Sequence, residues 1–268
     1  MKPILFSIGP LDIYAWGIFA ALGFIIASFI IWRYGRDERL VEEKVLDSIM
    51  MVVGYAFVGA RFLYMVMHFG EFSPNVLRFF LLWKFPGLSL VGGIALGLFG
   101  LLVASRKKKL VFWQLADYFM IGSTALISFG ALGGLFDGSE IGIVTHLPIG
   151  IFFAGYPDRR HPIGLYEAVW GISLYVFLVI LKQRMDRKRL PYGIVSLIGG
   201  LLWSVVFFAL AFLKEEPVYL GGLSFNQVVF GLSSIIVPFV LYKRLGRILK
   251  HDGVLLLQKI RTMLPVKK

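Results

Sequence analysis

Residues 12–33, DIYAWGIFAALGFIIASFIIWR, decide the class of fold. Between Asp12 and Arg33 no side chain is charged. A helix rising about 1.5 Å per residue over such a run crosses the roughly 30 Å hydrocarbon core of a bilayer. Lys2 alone precedes it as a basic residue and no small-residue cleavage site follows, so it reads as a retained anchor rather than a removed signal peptide. Outward from this stretch, further apolar runs bounded by charge, Pro or Gly fall at 45–68, 88–105, 112–135, 162–182, 192–213 and 224–245. The expectation is an all-α polytopic membrane protein of about seven transmembrane helices. Residues 1–246 form a single transmembrane domain, followed by a basic tail at 247–268.

Composition agrees: of 268 residues 58% are hydrophobic and 16% charged, with a mean hydropathy of +0.79. No room is left for a large soluble domain. Cys is absent, which excludes a disulfide framework, a Cys-ligated metal site and a cysteine nucleophile in this chain. Any thiol chemistry must come from a substrate. The net charge of +12 would suggest nucleic acid on a soluble face, but its distribution points elsewhere. Arg33, Arg36, Arg39 and Lys44 follow the first span, Arg106 to Lys109 the third, and Lys182, Arg184, Arg187, Lys188 and Arg189 the fifth; the tail is basic too. The alternate connections hold few. Positive loops stay inside, so the N-terminus is expected outside and the C-terminus cytoplasmic, with no nucleic-acid partner. The tail alternates basic residues with Val254, Leu255 and Ile260, and suits either an anionic inner leaflet or solvent. No internal repeat is evident.

An ionisable group inside a span costs at least about 2.5–3.5 kcal/mol, which makes each one a candidate functional residue. Arg61 in the second span is followed one turn later by Tyr64 on the same face. His161-Pro162 opens the fifth span, with Tyr166 and Glu167 within two turns. Topology sets all five at comparable depth in the outer half. A guanidinium beside a carboxylate and an imidazole suits a phosphate headgroup, to which Arg presents a planar fork of donors. The alternative is an Arg61–Glu167 ion pair that only fixes helix packing. Asp117 lies near the inner end of the fourth span, close to water. Gly92, Gly93, Gly97 and Gly100, and then Gly130, Gly133, Gly134 and Gly138, suit close helix packing or a backbone approach to phosphate. Lys214 with Glu215 and Glu216 reads as a solvated charge run. The histidines have no metal-ligand spacing, and neither a metal nor a cofactor is expected.

These motifs, in this order, resemble the prolipoprotein diacylglyceryl transferase family over about residues 4–245. Phe6-Ser7-Ile8-Gly9-Pro10 leading to Trp16-Gly17 looks like the family's first-span signature, and Gly59-Ala60-Arg61-Phe62-Leu63-Tyr64 like its Gly-x-Arg-x-x-Tyr element. Trp83 to Gly87 followed by Ser89-Leu90-Val91-Gly92-Gly93 is similar to the start of its third span, and Ala116-Asp117 fits its fourth. His161-Pro162-Ile163-Gly164-Leu165-Tyr166-Glu167 is similar to its His-Pro-x-x-Leu-Tyr-Glu element, and Ser224-Phe225-Asn226-Gln227 to the start of its last span. The resemblance differs at three polar positions of the family, occupied here by Val91, Ala131 and Gly134 in place of His, Arg and Asn, and Lys214 corresponds to a family Arg.

The resemblance implies a bacterial inner-membrane, multi-pass enzyme that moves the diacylglyceryl group of phosphatidylglycerol onto the lipobox cysteine thiol of a preprolipoprotein. Its partners would be phosphatidylglycerol, the preprolipoprotein and the bilayer. His161, Glu167 and Arg61 would be catalytic; Arg61, Tyr64, Tyr166, Lys214, Asp137 and Gln227 would bind substrate. The alternatives are an inactive relative that binds phospholipid or lipopeptide, and a small-solute transporter, which the absence of repeats and paired broken helices disfavours.

Overall fold

The computed structural model describes residues 4–8, 11–72, 87–214, 218–220 and 222–246. The basic tail and Trp83 therefore lie outside the described residues. Among those described, helices long and apolar enough to cross a membrane are α1 (Ala15–Asp37), α2 (Glu42–Met67), α4 (Leu90–Lys108), α5 (Phe112–Asp137), α6 (Ile163–Arg187), α7 (Ile194–Ala211) and α8 (Phe225–Arg244). A four-residue turn, α3 (Phe69–Phe72), follows α2. Their number is the expected one, while their ends differ from the apolar runs: α1 runs four residues beyond Arg33 and α6 five beyond Lys182, and α7 is shorter than 192–213 at both ends. Gln183, Arg184, Met185 and Arg187 are good helix formers and carry α6 on once it has left the hydrocarbon. The bilayer constrains what lies inside it, not where a helix stops.

Hydrophobic side chains lie on the outside of the bundle, as lipid requires. Ile25, Phe29, Phe62 and Ile235 are all more than half exposed. Burial is therefore a matter of helix against helix, and small residues set its closeness. α5 is the hub, packed on α1, α4, α6 and α7. A Cβ on Gly122 would strike Ile31 of α1 at 2.8 Å, and one on Gly164 of α6 would strike the Ala131 carbonyl at 2.5 Å. α2 packs along α4, where Gly59 and Gly92 face each other: a Cβ on either would come within 2.4 Å of the other's carbonyl oxygen. The glycine stripe of the third span is thus a packing face. Ile121, Ala125, Leu174, Trp203, Phe207 and Phe230 form an apolar core with Val91, and Leu63 packs against it.

At one end, the short connections carry the basic residues. At the other, small antiparallel strands decorate the bundle: β1 (Ile4–Ile8) with β2 (Leu11–Tyr14), β3 (Ile141–Val144) and β4 (Ile151–Phe152) either side of β5 (Arg159–Pro162), and β6 (Val218–Leu220) with β7 (Leu223–Ser224). The sequence shows no strand here, because these segments are too short for a visible two-residue period. They matter because a bridge between Gly142 and Lys214, with Ile143 N–H donating to the Leu213 carbonyl at 2.8 Å, ties the α5–α6 insertion to the α7–α8 connection.

At the basic end Asp117 is 2% exposed rather than beside water. Its two oxygens accept the backbone N–H groups of Gly193 and Ser196, each at 2.8 Å, and so cap the start of α7. Asp117→Ala would leave two N–H groups unpaired, at about 1–3 kcal/mol each. A fall of several degrees in the midpoint of thermal unfolding in detergent is the expected result, and an unchanged midpoint would remove this role.

Candidate active site

Two groups of polar side chains gather at the strand-bearing end. In the first, Arg61 lies two turns before the end of α2 and is fully buried. Its Nη1 donates to the Gly87 carbonyl at 2.9 Å. Gly87 has φ +142°, and a Cβ there would lie 2.1 Å from the Tyr64 ring, so this position accepts glycine alone on both counts. Tyr64 is sandwiched by His68, whose ring stacks at 4.2 Å and whose Nδ1 is 3.0 Å from the Tyr64 carbonyl. The Ser89 N–H then bonds the Ala60 carbonyl at 2.9 Å, docking the start of α4 on α2. Sequence reasoning assigned His68 no role; its position one turn after Tyr64 was the available signal.

The second group forms where β5 runs into α6. His161 Nδ1 is 3.1 Å from the Tyr166 hydroxyl. Glu167, 5% exposed, is paired with Lys214 at 3.0 Å, and Lys214 reaches Glu140 at 2.8 Å. For Lys214 the expected solvation is corrected by this geometry: its side chain is 22% exposed and lies between two carboxylates, while Glu215 and Glu216 lie outside the described residues. The Gly142 bridge draws Lys214 inward, where pairing outweighs exposure. Burial lowers the Lys214 pKa, but the Glu167 and Glu140 carboxylates more than offset it and hold it above the ordinary lysine range.

Glu140 is the residue that sequence reasoning passed over. A Cβ on Gly134 would sit 2.6 Å from Glu140 Cγ. The missing side chain at position 134 is therefore the space into which Glu140 folds, after a left-handed turn at Gly138 that caps α5. The Gly134 carbonyl accepts the N–H groups of Gly138 and Ser139, each at 3.0 Å. Asp137 spends one carboxylate oxygen on the Ser139 N–H at 2.8 Å, within this same turn. Gln227 is buried and forms a capping box with Ser224 at the start of α8: its Oε1 accepts the Ser224 N–H at 2.8 Å.

Val91 and Ala131, the apolar replacements, are 8% and 5% exposed. Val91 joins the apolar core, and Ala131 sits where α5 and α6 touch. Glu167 thus finds its cation in Lys214, while Arg61 is oriented by a backbone carbonyl. Chemically, the first group offers a guanidinium and the second an ammonium ion-paired with two carboxylates beside an imidazole–phenol couple able to pass a proton.

The sequence model of the family described as prolipoprotein diacylglyceryl transferase matches residues 3–243. Proteins named phosphatidylglycerol–prolipoprotein diacylglyceryl transferase are similar along most of the chain. That of Finegoldia magna is 28% identical over 255 residues, covering 94% of this chain and 99% of the relative. That of Clostridioides difficile is 27% identical, covering 85% and 90%. That of Nitratidesulfovibrio vulgaris strain DP4 is 30% identical, covering 86% and 88%.

Proposed function

Because the chain belongs to the prolipoprotein diacylglyceryl transferase family, we propose that it transfers diacylglyceryl from phosphatidylglycerol to the lipobox cysteine thiol of a preprolipoprotein. It does so in the bacterial inner membrane, with its N-terminus outside and its tail in the cytoplasm, an orientation supported by the basic loops. The site then works at the outer face, where phospholipid and a secreted peptide meet. The observation that carries the reading is Lys214 held between Glu140 and Glu167 at the same end as buried Arg61.

In the reaction the thiol loses its proton and its sulfur attacks a glyceryl carbon. The C–S bond forms as the C–O bond to phosphate breaks, and the electron pair leaves with glycerol phosphate. Two demands follow, a base for the thiol and positive charge for the leaving group. His161, with Tyr166 on its Nδ1, or Glu167 supplies the base. Arg61 and Lys214 bind the phosphate, with Tyr64, Tyr166, Asp137 and Gln227 shaping the surround. The charges that Val91 and Ala131 do not provide fall to Lys214, which Glu140 positions. A relative that binds lipid without turnover is the second reading, favoured by those same two apolar side chains.

The decisive experiment incubates purified chain with phosphatidylglycerol and a lipobox peptide, with a Cys→Ser peptide as control. Transfer to the thiol alone is expected, and His161→Ala should reduce it by about 10²- to 10⁴-fold. Lipid binding without transfer by the unaltered chain would replace the enzyme with the binding protein.

A further inference from the structure

The three turns at the basic end share a construction. α1, α4 and α6 each end with a 6→1 backbone bond, Leu40 N–H to Gly35, Leu110 N–H to Ser105 and Leu190 N–H to Met185, at 2.9 to 3.1 Å. Each holds a left-handed residue just before the Leu: Arg39 (φ 57°), Lys109 (φ 55°) and Arg189 (φ 51°). Glycine is the cheap occupant of such a cap. These are the non-glycine residues with positive φ among those described, all three are basic and all three are exposed. Of the three, Lys109 keeps a long cationic side chain at a costly backbone position beside a cleft.

Two of the turns, α1–α2 and α4–α5, flank a cleft of about 380 Å³ lined by Lys44, Lys107, Lys108 and Lys109, with Glu43, Asp47 and Val41. Lys108 is ion-paired with Asp47. The lining carries two positive charges in excess of its carboxylates. Its lining includes an apolar side chain, Val41, the N-cap of α2, which is 54% exposed. A soluble anion gains nothing from such a valine, whereas a lipid places glycerol and acyl carbons on it. The cleft lies at the opposite end of the bundle from Arg61 and Lys214, so it is not the transfer site.

We propose that this cleft is a site for an anionic phospholipid, its phosphate held by Lys44, Lys107 and Lys109 and its acyl chains lying past Val41. Basic pockets between helices at a membrane surface bind anionic headgroups in this way.

The test uses the full chain in detergent and phosphatidylserine, an anionic lipid without the glycerol headgroup of the proposed substrate. Native mass spectrometry reads its affinity for the unaltered chain, for a Lys107→Gln, Lys109→Gly double variant, and for Arg189→Gly, which removes a left-handed basic residue outside the cleft. Lys109→Gly keeps the cap, so folding survives. The double variant is expected to bind about 30-fold more weakly, two lysines' attraction to an anionic surface, while Arg189→Gly binds as the unaltered chain does. Equal weakening by Arg189→Gly would mean diffuse charge and overturn the site. So would phosphatidylcholine binding as well as phosphatidylserine, or inorganic phosphate displacing the lipid at equal concentration.

Discussion

Lys214→Met is expected to lower diacylglyceryl transfer by about 10²- to 10³-fold, the usual consequence of deleting one group that stabilises developing negative charge. It should also destabilise the fold, because Glu167 would remain 5% exposed without its cation. Breaking a buried pair from one side costs about 3–5 kcal/mol. The lower end applies here, since water reaches the 22% of the Lys214 side chain that stays exposed. Adding Glu167→Gln removes the stranded charge, so the double variant should recover thermal stability and not activity. Because Glu167 is itself a candidate base, the role of Lys214 is read from Lys214→Arg, which keeps the positive charge: it should keep most of the transfer that Lys214→Met loses, and equal loss in both would leave the charge of Lys214 without a part in the reaction. The sign of the pH effect follows from the raised Lys214 pKa. A lysine held above its unfolded value contributes stability in full below that value, and loses it only as pH rises through the folded one. Unfolding midpoints of the unaltered chain should therefore show no loss from this pair between pH 7 and about 10, where the unfolded lysine begins to titrate.

Gly87→Ala is the second large effect. The new Cβ would fall 2.1 Å from the Tyr64 ring in a backbone conformation of φ +142°. Strain of this kind costs about 1–3 kcal/mol, and any shift of the segment takes the carbonyl from Arg61, a hydrogen bond to a charged group worth about 1.5–3 kcal/mol. Transfer should fall on the order of 10²-fold, with a lowered unfolding midpoint, because a guanidinium displaced by an ångström no longer meets the phosphate. Truncating the ring as well, with Tyr64→Ala, makes room for the methyl and should return part of the stability. Transfer at the unaltered rate by Gly87→Ala would show that the Arg61–Gly87 contact does not serve the reaction.

The candidate site was legible in part. Arg61, Tyr64, His161, Tyr166 and Glu167 stand out because hydrocarbon makes every polar group costly, so those that remain are few. Their partners were not legible. Arg61 is oriented by the backbone oxygen of residue 87, and a carbonyl has no sequence signature. Glu140 and Lys214 are 74 positions apart in loops where charge is cheap, and a strand bridge brings them together. Gln227 and Asp137 engage local caps that a spacing of polar residues shows only in outline.

The chain's own order of apolar and charged segments determined the number of spanning helices and the runs that form them, because a bilayer admits only long runs whose backbone bonds close internally. It also determined which side chains had to be explained. Tertiary structure alone decided which helix lies on which, since every helix is apolar on its lipid face and only the mutual fit of Gly59 with Gly92, or of Gly164 with Ala131, selects a neighbour. It likewise decided that the cation beside Glu167 is Lys214. Ion pairing acts over a few ångströms of space, and only folding sets those distances.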